Sequence, residues 1–204
     1  MTTTTTATDG KVDRRKRTGR KAQIIDVSTA LFREKGYHAT SLDDIADRIG
    51  FTKPAIYYYF KSKEDILFAI VDEIVDGALE RMTAIAETDR SPTEKMHDLL
   101  AENTRVILEN IDANTVFYNE RGLLSAEREQ AIRQREREYT RLVRQIYIDG
   151  VEAGEFTEVN PAVATNTLLG ASIWAYRWFD PRGSLTIEEV AEQIATLLLE
   201  GYRV

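Results

Sequence analysis

Between Thr52 and Lys63 the chain gathers groups suited to gripping a polyanion: Thr52, Lys53, Pro54 and Ala55, then Tyr57, Tyr58 and Tyr59, then Lys61 and Lys63. A lysine at the start of a short helix can reach the O6/N7 edge of guanine in a major groove. An alanine beside it can meet a thymine methyl. Phenol hydroxyls such as those of Tyr57 and Tyr58 can donate to backbone phosphates, and Lys63 stands where a helix N-terminus adds partial positive charge. The tyrosine run also has a plainer reading as core packing. In this register Tyr59 or Phe60 is expected to be partly core, Tyr57 and Tyr58 are expected to remain available, and Lys61 reads as a solvated cation.

Elements that could present these groups are legible around them. Ile24, Ile25, Val27, Ala30, Leu31 and Phe32 recur at helical spacing and predict a first helix from about Gly19 to Lys35, ended by Gly36. Ser41, with Asp44 three residues on, caps a second helix whose buried stripe is Leu42, Ile45, Ala46 and Ile49. After a turn at Gly50 and Phe51, Thr52 caps a third helix with Pro54 in its first turn, running to about Phe60. A short helix, a glycine turn and a second short helix make the helix-turn-helix plan. Further helices are predicted from Lys61–Lys63 to about Glu87, from Ser91-Pro92 to Glu109, and from Ala113 to Leu123. Three more run from Ser125 to Ala153, from Asn160-Pro161 to before Asp180, and from Thr186, boxed by Glu189, to Tyr202. No hairpin signal or sustained alternation is present, so the expected fold is all-α with about nine helices. Residues 1–17 are read as a flexible basic arm whose Arg14 to Lys21 stretch could add phosphate or minor-groove contacts. Residues 18–63 form the helix-turn-helix head, and residues 64–204 a larger helical body.

Charge is divided the same way. The net charge of −7 hides thirteen lysines and arginines against seven carboxylates up to residue 63, then fourteen against twenty-seven. A basic head on an acidic body is what a chain needs if one end approaches a polyanion. The 204 residues include no cysteine and two distant histidines, His38 and His97, so thiol chemistry is excluded and a metal site is not expected. No glycine-rich phosphate loop is present, and no catalytic residue or cofactor is expected. No apolar run approaches the ~20 residues of a membrane span, so the cytoplasm is the expected location.

From Thr40 to Leu67 the sequence reads TSLDDIADRIGFTKPAIYYYFKSKEDIL. This resembles the head of the TetR family of one-component regulators in Thr40-Ser41, Ile45-Ala46, Ile49-Gly50, Thr52-Lys53, Tyr57, Phe60 and Lys63-Glu64, with Phe32, Gly36 and Tyr37 upstream. Pro54 departs from the glycine common there. The resemblance implies a regulator, most often a repressor, that binds a palindromic operator in double-stranded DNA. Thr40 or Ser41 would hold the opposite phosphate strand, a pocket would lie within helices four to seven, and a homodimer would form through the last two helices. The eighth helix supports the dimer independently, being apolar around much of its circumference from Ala162 to Phe179. Two recognition helices must stand about 34–36 Å apart to read successive major grooves.

A second resemblance concerns the small-molecule effector. Glu120-Arg121-Gly122-Leu123-Leu124-Ser125, the charged helix after it, Gly154-Glu155-Phe156 and Trp178-Phe179-Asp180-Pro181 are similar to a TetR subgroup that responds to acyl-CoA thioesters. Phe117, Tyr118, Leu123, Tyr139, Trp174 and Trp178 would then line an apolar tunnel, and Arg121, Arg128 or Arg177 would meet phosphate. Ile173 stands where the subgroup often has asparagine. Aromatics at helical spacing also serve as core and helix arginines as solvated surface, so three alternatives stay open. These are a drug-like aromatic inducer with an efflux pump in the regulon, no small ligand at all, and a protein-interaction module with a vestigial head.

Overall fold

The computed structural model describes residues 19–201, so the basic arm of residues 1–17 and Tyr202 lie outside the described residues. Nine α-helices and no strand occur among the described residues: α1 Arg20–Lys35, α2 Leu42–Ile49, α3 Lys53–Tyr59, α4 Lys63–Ala86, α5 Pro92–Glu109, α6 Ile111–Glu120, α7 Ala126–Glu152, α8 Pro161–Trp178 and α9 Ile187–Glu200. No described helix is long and apolar enough to cross a membrane.

Helix starts follow local chemistry. Capping boxes open α2 (Ser41/Asp44), α4 (Ser62/Asp65), α5 (Ser91/Glu94) and α9 (Thr186/Glu189), each satisfying two otherwise orphaned backbone groups. Thr52 and Ser125 occupy the expected N-cap positions of α3 and α7 without a side-chain bond. The sixth helix departs most from expectation. It begins at Ile111, because Asn110 both ends α5 and starts α6, its amide donating to the Val106 carbonyl at 2.9 Å. It ends at Glu120, and Arg121–Leu123 tighten into a 3₁₀ turn.

Two large cores hold the molecule together. The upper one joins Ile24, Phe32, Ile45, Ile56 and Phe60 of the head to Ile66, Leu67, Ile70 and Val71 of α4, Phe117 of α6 and Ile132 of α7. The lower one packs Met82 of α4 with Met96, Leu99 and Leu100 of α5, Val143 and Ile146 of α7, Leu169 of α8 and Ala195 of α9. Only α4 and α7 contribute fully buried side chains to both, and α4 runs about 36 Å at 1.5 Å per residue. Ion pairs bind these two helices together: Arg128 of α7 meets Glu64 and Asp65, and Arg135 meets Asp72 and Asp76. Between α5 and α8 the buried Ser172 hydroxyl takes part in hydrogen bonds with Asn103 at 3.0 Å and Thr104 at 2.8 Å, which fixes their register.

The α7–α8 connection folds back on α7. The Tyr147 hydroxyl donates to the Thr157 carbonyl at 2.7 Å, and the Tyr147 ring stacks on Phe156 with centroids 5.9 Å apart. Gly150 makes this possible, since a Cβ there would stand only 2.2 Å from Phe156 Cδ2. Gly150→Ala should therefore lower stability by up to about 2 kcal/mol, overpacking of ~1–3 kcal/mol being offset by roughly 1 kcal/mol of helix propensity. Thermal melts should show a midpoint reduced by about 2–4 °C per kcal/mol.

Candidate nucleic-acid interface and effector cavity

The head presents α3 on a sharp turn. Gly50 adopts φ 76°, ψ 29°, a left-handed conformation that suits glycine, and its N–H meets the carbonyls of Ala46 and Asp47. The turn leads through Phe51 into Thr52, and α3 is pinned by a single fully buried side chain, Ile56, with Phe60 just after it. Most of the rest of the helix is therefore free to face outward. Thr52, Lys53 and Pro54 are exposed, Ala55 is half-buried, and Tyr57 and Tyr58 are 47% and 83% exposed. Tyr59 packs against the core, as expected for one member of the tyrosine run. The Lys53 ammonium donates to Asp43 at 2.8 Å, which raises its pKa. Such a surface pair is screened by salt and readily exchanged for a phosphate or a base edge.

Ser41 stays at the surface with its hydroxyl engaged in the α2 capping box. The hydrogen bond from the Ser41 side chain, and then that from its backbone, hold Asp44 well below the usual carboxylate range, at about 2. The cap is thus fully formed at neutral pH and is lost only as pH falls through the carboxylate range towards that value.

Two other expected phosphate contacts lie elsewhere. Thr40 is 1% exposed, and its hydroxyl donates inward to the carbonyls of Gly36 at 2.9 Å and Leu31 at 3.3 Å. It closes the α1–α2 turn instead of facing DNA. Lys63 also turns inward: its ammonium donates to the carbonyls of Tyr37 at 2.6 Å and Thr40 at 2.7 Å, and lies 4.2 Å from the centre of the Tyr37 ring. Burial lowers its pKa. A lysine at the first residue of a helix reads in sequence as a surface cation. Only the fold brings the three carbonyls of residues 37, 38 and 40 beneath it.

In the body, α4 to α8 line a cavity of about 360 Å³ that opens to solvent. Phe117, Tyr118 and Tyr139 wall it, as expected, together with Ile74, Val75 and Ala78 of α4 and Leu169, Gly170 and Ile173 of α8. Leu123, Trp174, Arg177 and Trp178 are not on its walls. Trp174 and Trp178 are 59% and 53% exposed on the outer side of α8, because at 100° per residue Trp174 points away from its cavity-facing neighbour Ile173. Arg177 lies over the Trp174 and Tyr176 rings at 5.7 and 5.6 Å. Leu123 sits at the surface in the 3₁₀ turn. Arg121 flanks the cavity, bound to Glu136 at 2.8 Å and resting over Phe117, while Arg128 is committed to α4.

The cavity also holds polar groups that the sequence did not single out. Arg81 of α4 lines it, 3.6 Å from Glu102, with its pKa lowered by burial. The Tyr139 hydroxyl is buried without a hydrogen-bond partner, and desolvation pushes its pKa up. Asn103 and Asn114 complete the polar set. Apolar walls with an unmet hydroxyl suit a largely apolar ligand bearing an acceptor oxygen. Among the described residues no group of three or more potential metal ligands occurs.

Comparison with known proteins agrees with this geometry. Residues 24–70 match the family described as bacterial regulatory proteins, tetR family, and residues 89–202 match the tetracyclin repressor-like C-terminal domain. A transcriptional regulator of the TetR/AcrR family from Thermobifida fusca YX-ER1, solved by crystallography, is 65% identical. The match covers 91% of this chain and 99% of that one at a TM-score of 0.74. The HTH-type transcriptional repressor KstR2 of Rhodococcus jostii (strain RHA1) is 26% identical over 187 residues, 91% of this chain and 92% of the relative. AibR, solved in complex with isovaleryl coenzyme A and operator DNA, is 25% identical and covers 89% of this chain and 98% of its own at a TM-score of 0.80.

The placements of Lys53 and Lys63 separate two kinds of contribution to DNA affinity. Lys63→Met should weaken binding to duplex DNA from the chain's own promoter while leaving the slope of log K against log salt unchanged, since no phosphate contact is removed. Lys53→Ala should weaken binding and, if it meets phosphate, reduce that slope by about 1. Fluorescence anisotropy across a salt series measures both.

Proposed function

The chain belongs to the TetR family of DNA-binding transcriptional regulators, and we propose that it is a repressor released from a palindromic operator when an apolar, acyl-CoA-type ligand enters the α4–α8 cavity. The observation that carries this reading is the double duty of α4. Its middle, from Ile74 to Arg81, walls the cavity, and its first residue, Lys63, holds the head. A ligand that displaces the middle of this helix moves the Lys63 anchor and so re-aims α3. Similarity to the repressor KstR2 supports repression, and similarity to AibR, solved in complex with isovaleryl coenzyme A, supports the ligand class.

Two copies are needed to place two α3 helices in successive major grooves. Val163, Trp174 and Trp178 of α8 and Leu197 of α9 are exposed in the single chain, an apolar surface that a second copy would cover. Thr52, Lys53, Pro54 and Ala55 enter the groove in this reading, with Tyr57 and Tyr58 on phosphates and Ser41 beside the opposite strand. The aromatic walls, Phe117, Tyr118 and Tyr139, also favour a second reading in which a flat aromatic inducer takes the same cavity.

Anisotropy with promoter DNA tests this directly. Dodecanoyl-CoA should weaken the wild-type complex by about tenfold or more, equivalent to ~1.4 kcal/mol of coupling. Ile173→Trp, which fills the cavity, should bind DNA and resist release. DNA affinity indifferent to dodecanoyl-CoA but lowered by a flat aromatic would replace the first reading with the second. Val163→Asp combined with Trp174→Asp should sediment as a monomer and lose most operator affinity.

A further inference from the structure

One face of α7 has a charge pattern unlike the rest of the body. Arg133, Arg137, Arg141 and Arg144 follow one another at helical spacing and line an open groove together with Glu136 and Thr140. Elsewhere in the body arginines meet carboxylates, as Arg105 meets Glu102 and Glu109, and Arg135 meets Asp72. Arg133 follows that habit with Glu129 at 2.6 Å. Arg137, Arg141 and Arg144 have no ion-pair partner among the described residues. Like charges at this spacing disfavour the helix that carries them. In a body with almost twice as many carboxylates as cations, leaving three guanidinium groups side by side and unpaired calls for an anion from outside.

The groove adjoins the cavity, since Glu136 and Thr140 line both. Glu136 is bound to Arg121 at 2.8 Å, so its charge is already met and does not oppose an arriving anion. We propose that the Arg137–Arg141–Arg144 face of α7 binds the phosphate-bearing head of an amphiphilic effector whose apolar tail occupies the α4–α8 cavity, an assignment that rests on the effector reading above. Guanidinium forks suit phosphate oxygens bidentately. From residue 137 to residue 144 the face spans about 10 Å at 1.5 Å per residue, room for more than one phosphate. Arg121, Arg128 and Arg177, each held by an internal partner, are left out of this role.

Isothermal titration of the full chain with dodecanoate, dodecyl phosphate and dodecanoyl-CoA tests the assignment, alongside a variant carrying Arg137→Gln, Arg141→Gln and Arg144→Gln. The wild type should bind the phosphorylated probes more tightly than dodecanoate. The variant should lose about tenfold or more for dodecanoyl-CoA and keep its dodecanoate affinity. Equal losses for both phosphorylated probes would assign the face to a single phosphate, as in a phospholipid. A loss confined to dodecanoyl-CoA would assign it to an extended nucleotide head. Unchanged binding of both phosphorylated probes by the variant would overturn the assignment while the effector reading stands. So would a variant that sediments as a monomer, because the face would then belong to a subunit contact. A wild type that binds none of the three probes removes both readings.

Discussion

The geometry of the head depends on where the Lys63 ammonium goes. The turn from α1 to α2 leaves the carbonyls of Tyr37, His38 and Thr40 without helical partners, and one cation collects all three. The lysine is the first residue of α4, so the same bonds that complete the turn fix the angle at which the helix shared by both cores enters the head. Thr40 works from the other side by tying the turn to α1 through Leu31 and Gly36. The orientation of α3 follows, because Ile56 and Phe60 pack in a core that also contains Ile66 and Leu67 of α4.

The cavity sets the opposing requirement. An interior packed to ordinary density would make α4 rigid along its length. Here α4 faces about 360 Å³ of space between the two cores, bordered by an orphaned Tyr139 hydroxyl and a desolvated Arg81. Apolar walls and an unmet hydroxyl both leave interactions for a ligand to make. A ligand that supplies apolar contacts and one acceptor has binding energy available there. The α4–α7 ion pairs of Arg128 and Arg135 tie the two helices to each other.

Helix positions were legible because their ends are local: Ser41 with Asp44, Thr186 with Glu189, Gly50 and Pro161 act within a few residues. The sixth helix was less so, since Asn110 has no capping partner in sequence and works by bonding back to α5. The outward groups of α3 could be read because a seven-residue helix with one buried anchor exposes nearly everything else. Thr40 and Lys63 could not, because their partners are carbonyls, which any residue supplies and which only the tertiary path brings near. The tunnel was half legible for a related reason. Phe117, Tyr118 and Tyr139 belong to helices with one apolar side, whereas α8 is apolar all round, and composition does not reveal which of its sides faces inward.

That ambiguity in α8 reflects how the helix is used. Leu169, Gly170 and Ile173 face the cavity, Ser172 holds α5, and Val163, Trp174 and Trp178 face outward. A helix with one polar side could not serve an interior cavity, a buried hydrogen-bond register and an external apolar surface at once. The two exposed tryptophans make the outer surface apolar, which suits contact with a symmetry copy.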